Sequence, residues 1–476
     1  MDKFDVAEFD VPEFDVAEFD VIVIGAGPAG ENAAGRCAAG GLSVAIVERE
    51  LVGGECSYWG CIPSKTLLRP GDVIAATRRV PGAAEAVTGQ IDLARVFAQR
   101  DYMTSNWDDA GQLPWLAEQG IELVRGAGRL AGPKVVEVTQ NGTARRLAAQ
   151  RAVVLATGTG AVEPPVDGLA DIAPWDNRGA TAASEVPGRL LVLGGGAIGA
   201  ELAQAFSRLG SAVTVVEAGP RLLAREEPFA GEEVRQAFTD AGIVVHTGVA
   251  LQSVRREAAG EPVRATLADG REVVADQVLV AVGRRPATAD LGLETVGLEP
   301  GRYIDVDDTL RATGVAGDWL FAVGDCNGRA LLTHMGKYQA RIAADVICGR
   351  DARDRASTDV IPRVTFTDPQ VCAVGLTEAM ARERGLDIAV VRTATGGVAG
   401  ATVMGNGIAG TSQLLVDRAR GVVVGATFTG PGVQELLHSA TVAIAGEVPV
   451  ERLWHAVPSF PTVSEVWLRL LESYGC

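Results

Sequence analysis

The sequence predicts an α/β fold with two nucleotide-binding cores of strands and helices and a smaller C-terminal α+β domain. Three observations predict it. A unit of apolar strand, glycine turn and alanine-rich helix occurs twice, beginning at residues 21 and 190. Each unit runs on into a second apolar strand that ends in Glu. From about residue 355 strands and turns alternate before a final helix, so the parallel pattern gives way to an antiparallel one.

Composition sets the scale. At roughly 150 residues per domain, 476 residues make about three domains, and 47% hydrophobic residues suffice to fill their cores. The chain has 43 Lys and Arg against 60 Asp and Glu, a net charge of -17. Nucleic acid is therefore not an expected partner, because phosphate backbones are held mainly by Lys and Arg. No run of 18 apolar residues occurs and the first residues are acidic, so membrane insertion and a secretory head are not expected and the location expected is cytoplasmic. Of seven Cys, only Cys56 and Cys61 are close neighbours, far below the density of a secreted scaffold.

The elements follow in order. Phe4-Asp5-Val6-Ala7-Glu8 recurs in near-identical form from Phe9 and Phe14, and residues 2–20 carry eight acids and one Lys. Such self-repulsion opposes compaction, so 1–18 is expected to be a disordered acidic tail. Val21-Ile22-Val23-Ile24 then enters Gly25-Ala26-Gly27-Pro28-Ala29-Gly30. Gly25 permits the turn, Gly27 lets a pyrophosphate approach the backbone, and Gly30 lets helix pack on strand. The helix start adds positive potential, and Glu48, 18 residues past Gly30, is placed to accept from a ribose. This is a Rossmann-like dinucleotide cradle.

Next comes Gly53-Gly54-Glu55-Cys56-Ser57-Tyr58-Trp59-Gly60-Cys61-Ile62-Pro63-Ser64-Lys65. Residues five apart do not face each other on a regular helix, so pairing Cys56 with Cys61 needs a distorted first turn, which the glycines can absorb. Cys61 and Lys65, four apart, share a helix face. Close His or Cys ligands for zinc are missing from the segment, so no metal is expected. A redox disulfide is the expectation; Cys37, Cys326, Cys348 and Cys372 are read as core residues. Tyr58 and Trp59 either wall a substrate or simply pack.

The second cradle repeats the spacing with Gly194, Gly196, Gly199 and Glu217. Glu217 should accept from the ribose of NADH and repel the extra phosphate of NADPH, although Arg221 leaves NADPH use possible.

In these motifs the chain over roughly 19–470 resembles the class I pyridine nucleotide-disulfide oxidoreductases, the group of dihydrolipoyl dehydrogenase, glutathione reductase and mercuric reductase. The resemblance implies FAD in the first cradle and NAD(P)H in the second. It implies an FAD-binding domain in two parts, 19–156 and 283–352, around an NAD(P)-binding domain at 157–282. A dimerisation domain at 355–476 would make a homodimer. Cys61 then resembles the thiol beside the flavin and Cys56 the interchange thiol, with Lys65 and Glu201 the ion pair near the ring. Gly54, Ala156-Thr157-Gly158, Gly283 in Val282-Gly283-Arg284, Gly324-Asp325 and Leu332-Thr333-His334 match further cofactor segments, giving Thr157, Gly158, Asp325 and His334 as candidate contacts.

One departure is plain. Where dithiol-exchanging members carry His-Pro-Thr with a later Glu, this chain has Phe460-Pro461-Thr462 and Glu465. A phenyl ring neither takes a proton nor steadies a thiolate, so Phe460 is expected to form an apolar wall. His455, five residues earlier, is a poor replacement base, and the chain ends in a single Cys476 rather than the paired cysteines of mercuric reductases. The expected activity is electron transfer from NADH through the flavin and Cys56-Cys61 to a small disulfide, quinone or other electrophile. The competing readings are dihydrolipoyl dehydrogenase, mercuric-type metal-ion reductase and a non-enzymatic redox-sensing binding protein.

Overall fold

The computed structural model describes residues 16–258 and 260–476. The expected acidic tail falls largely outside the described residues, and the first strand, β1, opens at Ala17, four residues before the apolar burst that marks it in the sequence. The chain divides into two compact units. The α/β expectation is borne out in both.

The described residues of the first unit come from 16–54, 109–159 and 286–354. Its sheet takes β1 (Ala17–Ile24), β2 (Val44–Glu48), β3 (Ile121–Arg125), β4 (Ala127–Leu130), β5 (Val135–Gln140) and β6 (Thr143–Leu155) in the order β3-β2-β1-β6-β5-β4. The strand Leu320–Ala322 adds in parallel beside β6. Strands covered on both faces read as unbroken apolar runs, which is why Val21 to Ile24 lack alternation. Val21 and Val23 pack with Ala33 and Ala34 of helix α1 (Pro28–Ala39), whereas Ile22 and Ile24 pack on the opposite face with Val136 and Val138. Helix Thr333–Ile347 lies against α1 and completes that layer.

The second unit comprises 55–108, 160–285 and 355–476. A parallel sheet of Arg189–Leu193, Ala212–Glu217, Val244–Thr247 and Gln277–Val280 carries the second glycine turn. An antiparallel five-stranded sheet spans Arg363–Thr365 to Val422–Gly430, with helices Val433–Ala445 and Val466–Tyr474 burying Phe428 and Trp467 in one core. The helical segment that opens this unit holds α2 (Gly54–Tyr58) and α3 (Cys61–Arg78). Among the described residues no helix is long and apolar enough to cross a membrane.

Candidate active site

The two glycine turns are the same construction built twice. Gly25 and Gly194 take φ of 102° and 100°, and a methyl on either would strike a carbonyl oxygen, Ala156 at 2.5 Å or Ala281 at 2.4 Å. A methyl on Gly30 or Gly199 would lie 1.8 or 2.0 Å from the oxygen of Gly25 or Gly194, so helix and strand touch only because these residues are glycine. Around Gly27 and Gly196 there is open space.

The acids close each cradle in the same way. Ala26 N–H donates to Glu48 Oε2 at 2.7 Å, and Glu50 N–H to Oε1 at 2.7 Å. Gly195 N–H donates to Glu217 Oε2 at 2.6 Å, and Gly219 N–H to Oε1 at 2.5 Å. Each carboxylate is thus fixed at the glycine turn with lone pairs left for ribose hydroxyls. Arg221 donates from one nitrogen, Nη2, to the carbonyls of Ala224 and Glu226 at 2.9 and 3.2 Å, while its buried Nε has no partner.

The first cradle leaves an unpartnered polar group and open backbone that a bound dinucleotide could use. The Thr157 hydroxyl is buried without a hydrogen-bond partner, beside the Ala156 backbone on which Gly25 packs. Gly158, at φ +69°, faces open space. Thr159 donates to Asp325 Oδ2 at 2.8 Å. The turn before Asp325 is held from below, because Gln339 Oε1 accepts from Gly324 N–H at 2.8 Å and from Asn327 at 2.9 Å. Gly54, φ +59°, leans so closely on Gly27 that a methyl would come within 2.7 Å of its Cα. Glu31 follows the turn directly; burial pushes its carboxyl up to about 7, with Lys337 opposing and Glu48 reinforcing the shift. His334 is exposed at the start of helix Thr333–Ile347.

The chain turns back on itself between Cys56 and Cys61. α2 stops at Tyr58, and Gly60, at φ -115° and ψ -109°, breaks the helical path before α3 restarts at Cys61. Gly60 folds back so far that a methyl on it would lie 3.1 Å from the Glu55 oxygen and 3.3 Å from Cys56 Cα. Cys56 and Cys61 are both half-buried. Buried Cys326 and Cys37, by contrast, have thiols pushed up to about 12 by desolvation, and burial also raises that of buried Cys372; Cys348 is only half-buried, because it lies past the end of its helix.

Lys65, one turn beyond Cys61 on α3, meets Glu201 Oε2 at 2.6 Å. Glu201 is buried on helix Ala197–Arg208, directly after the second cradle, and its Oε1 accepts from Phe366 N–H at 2.9 Å. The Lys65 ammonium also lies 4.9 Å from the Phe366 ring centroid. Both lobes of the carboxylate are therefore used, and the ammonium is aimed rather than left to solvent.

Sequence reasoning missed a brace on the cysteine loop. Glu55 accepts from Asn177 Nδ2 at 2.7 Å and from Arg178 Nε at 2.8 Å, with Arg284 3.7 Å away. The Arg178 guanidinium stacks 4.0 Å over the Trp59 ring, and Asn177 also donates to the Trp59 carbonyl at 3.0 Å. Residues on both sides of Cys56 are thus tied to the short helix Asn177–Thr181. The one signal available was the acid beside a cysteine. Tyr58 is buried and packs, so of the two aromatic rings only Trp59 remains partly open.

At the C-terminal end, Phe460 is 75% exposed and His455 is exposed, while Glu465 is buried and accepts from Gly400 N–H at 3.3 Å. Phe460 and Glu465 thus sit in opposite environments. Val457, three residues earlier in the chain, is 83% exposed. Among the described residues no group of three or more His, Cys, Asp or Glu side chains is placed to hold a metal ion.

Comparison with known proteins agrees with this geometry. The pyridine nucleotide-disulphide oxidoreductase family model matches residues 19–342, and the dimerisation-domain model of the same family matches 361–470. The chain is 30% identical to a mercuric reductase of Staphylococcus aureus over 428 residues, covering 89% of this chain and 77% of that protein. It is 35% identical to a dihydrolipoyl dehydrogenase of Chlorobaculum tepidum over 433 residues, 89% and 90% of the two chains. Among solved structures, the HOCl-induced flavoprotein disulfide reductase RclA from Escherichia coli superposes with a TM-score of 0.83 at 26% identity, over 95% of this chain and 99% of that one.

Proposed function

The chain belongs to the pyridine nucleotide-disulphide oxidoreductase family, and from that premise we propose that it is an NADH-dependent reductase of a small disulfide, quinone or other electrophile. Family membership carries the general activity, electron transfer through a flavin and a disulfide to a small acceptor. The preference for NADH, the identity of the acceptor and the individual residue roles are the proposal.

One observation carries it: the helix that opens at Cys61 presents Lys65 to a buried, doubly used Glu201, while Gly60 returns the chain onto Cys56. FAD, when bound, supplies the conversion between nicotinamide hydride and the electron pair of a disulfide. Gly25, Gly27, Gly30, Glu48, Gly54, Thr157, Gly158, Asp325 and His334 would hold it, and Lys65 would face its ring. Gly194, Gly196, Gly199, Glu217 and Gly283 would hold the nicotinamide dinucleotide. The anchored Glu217 carboxylate accepts from a free ribose hydroxyl and repels a phosphate, which supports NADH over NADPH.

Cys61 is the thiol assigned to the flavin and Cys56 the thiol exchanged with the acceptor. Cys56 attacks as thiolate, so its proton must leave before exchange. With Phe460 in the usual imidazole position, residue 460 cannot take that proton, and Glu465 is buried with one oxygen accepting from Gly400 N–H. Electron delivery to an acceptor that needs no base at that point is favoured over oxidation of dihydrolipoamide, a dithiol donor whose own thiol would have to give up a proton there. The exposed Val457 and Phe460 and the family's dimerisation model support a homodimer in which Phe460 walls the acceptor site. The division into FAD-binding parts 19–156 and 283–352, NAD(P)-binding 157–282 and interface 355–476 belongs to the same reading.

The deciding experiment is anaerobic NADH titration of the FAD-loaded protein, followed by a quinone, a disulfide, dihydrolipoamide with NAD+, and mercuric ion in separate reactions. A long-wavelength thiolate-flavin band that disappears in C61S, with quinone or disulfide turnover, is the expected result. Persistence of that band in C61S sinks the assignment of Cys61. Efficient dihydrolipoamide oxidation sinks the choice of acceptor.

A further inference from the structure

The first unit contains a second thiol pair that the proposed electron path does not use. Cys37 lies in the last turn of α1 and is fully buried; Cys348 follows helix Thr333–Ile347 and is half-buried. The two helices pack along their length. Arg36, the neighbour of Cys37, holds Asp345 through Nε at 2.8 Å and a second nitrogen at 2.6 Å, which fixes the register of the helices beside the sulfurs. Gly40 has an ordinary φ of -80°, yet a methyl on it would lie 2.5 Å from Cys348 Sγ. Its lack of a side chain therefore makes room for a sulfur, and that sulfur sits at the end of α1, one turn from Cys37.

The two sulfurs share one helix junction. The Cys37 thiol is raised chiefly by its burial and further by the nearness of Cys348, whose sulfur lies against Gly40, three residues past Cys37. The Arg36 guanidinium is close enough to feel Cys348 as well. Buried thiols are usually inert because nothing reaches them. Here the half-buried member lies against the helix end that carries the other.

We propose that Cys37 and Cys348 form a reversible peroxide-sensitive disulfide that staples the two helices flanking the flavin cradle. Cys348 attacks one oxygen of hydrogen peroxide, the O–O bond breaks, and hydroxide leaves to become water with the thiol proton. Cys37 then attacks the sulfenic sulfur, the S–O bond breaks, and the proton of Cys37 departs with that oxygen as a second water. Two thiols and one peroxide become one disulfide and two waters. The bond joins residues far apart in sequence, so it removes freedom chiefly from the unfolded chain. α1 begins at the glycine turn and the partner helix begins just past Asp325, so both sides of the cradle become one piece. A thiol reductant reverses the step.

Tryptic cleavage separates this pair from Cys56 and Cys61, which share the peptide 50–65, whereas Cys37 falls in 37–49 and Cys348 in 342–350. The FAD-loaded protein is reduced, desalted, exposed to a few equivalents of hydrogen peroxide, alkylated and digested without reductant. A linked 37–49 and 342–350 species is expected in most molecules, absent from C348S and C37S and lost on adding dithiothreitol. The temperature of FAD release should rise by about 5 °C or more in oxidised wild type and not in C348S. G40A, which pushes on the Cys348 sulfur, should lower the linked yield. Full alkylation of both peptides after peroxide, or Cys348 recovered only as sulfinic or sulfonic acid, overturns the proposal, as does linkage that appears only in unfolded protein. None of these outcomes depends on the acceptor or on the roles of Cys56 and Cys61.

Discussion

Removing Arg178 tests whether the brace on the cysteine loop positions the reactive sulfurs. R178A deletes the two donors within 2.7 and 2.8 Å of Glu55 and the stack 4.0 Å over Trp59. The Arg178 side chain is 38% exposed, so the screened ion pair contributes about 0.5–1 kcal/mol. The cation–π contact adds about 0.5–1 kcal/mol at such exposure. The loss is therefore about 1–2 kcal/mol, and if that energy holds the loop in its reactive form, reduction of the acceptor slows by about tenfold, since about 1.4 kcal/mol is a factor of ten. Stopped-flow reoxidation of NADH-reduced protein by a quinone or disulfide measures the rate, and urea unfolding measures stability. R178K, which keeps charge but loses the planar stack, should fall between. A double cycle with E55Q should return a coupling of about 0.5–1 kcal/mol. Unchanged reoxidation in R178A refutes a positioning role, and a coupling that persists in urea unfolding alone would leave the contacts a purely stabilising part.

Four further outcomes follow from particular groups. Glu31 is raised from its ordinary 4.5 to about 7 by burial, so the folded state binds its proton more tightly than the unfolded one. Stability is then lost as pH rises from about 4.5 to about 7, by at most about 3 kcal/mol, and E31Q should gain on wild type in urea unfolding of apoprotein at pH 8 but not at pH 4. T157V removes a hydroxyl with no partner in the protein, so apoprotein stability should hold while FAD binding by fluorescence weakens about five- to tenfold. F460H should leave the thermal midpoint unchanged, given the exposure of Phe460, and raise dihydrolipoamide turnover without raising quinone turnover; no gain would leave the proton argument without support. E217A should narrow the preference for NADH over NADPH in kcat/KM, and an unaltered ratio would place discrimination elsewhere.

The sequence by itself determined the features written in local pattern. Apolar bursts, glycines at fixed spacing and an acid 18 residues on specify the two cradles, because a tight turn, close backbone approach and strand ending are all short-range requirements. A Phe at residue 460, where the resemblance leads one to expect His, is likewise visible in a single letter. Tertiary structure alone decided which distant groups meet. Glu55 is braced by Asn177, Arg178 and Arg284, Glu201 is held by the backbone of Phe366, and Gln339 carries the turn before Asp325. Cys37 and Cys348, read singly, are ordinary core thiols; the packing of two helices makes them a pair. Hydrogen bonds and sulfur contacts act over a few ångströms in space, and residue spacing along a chain carries no record of that distance once helices and sheets intervene.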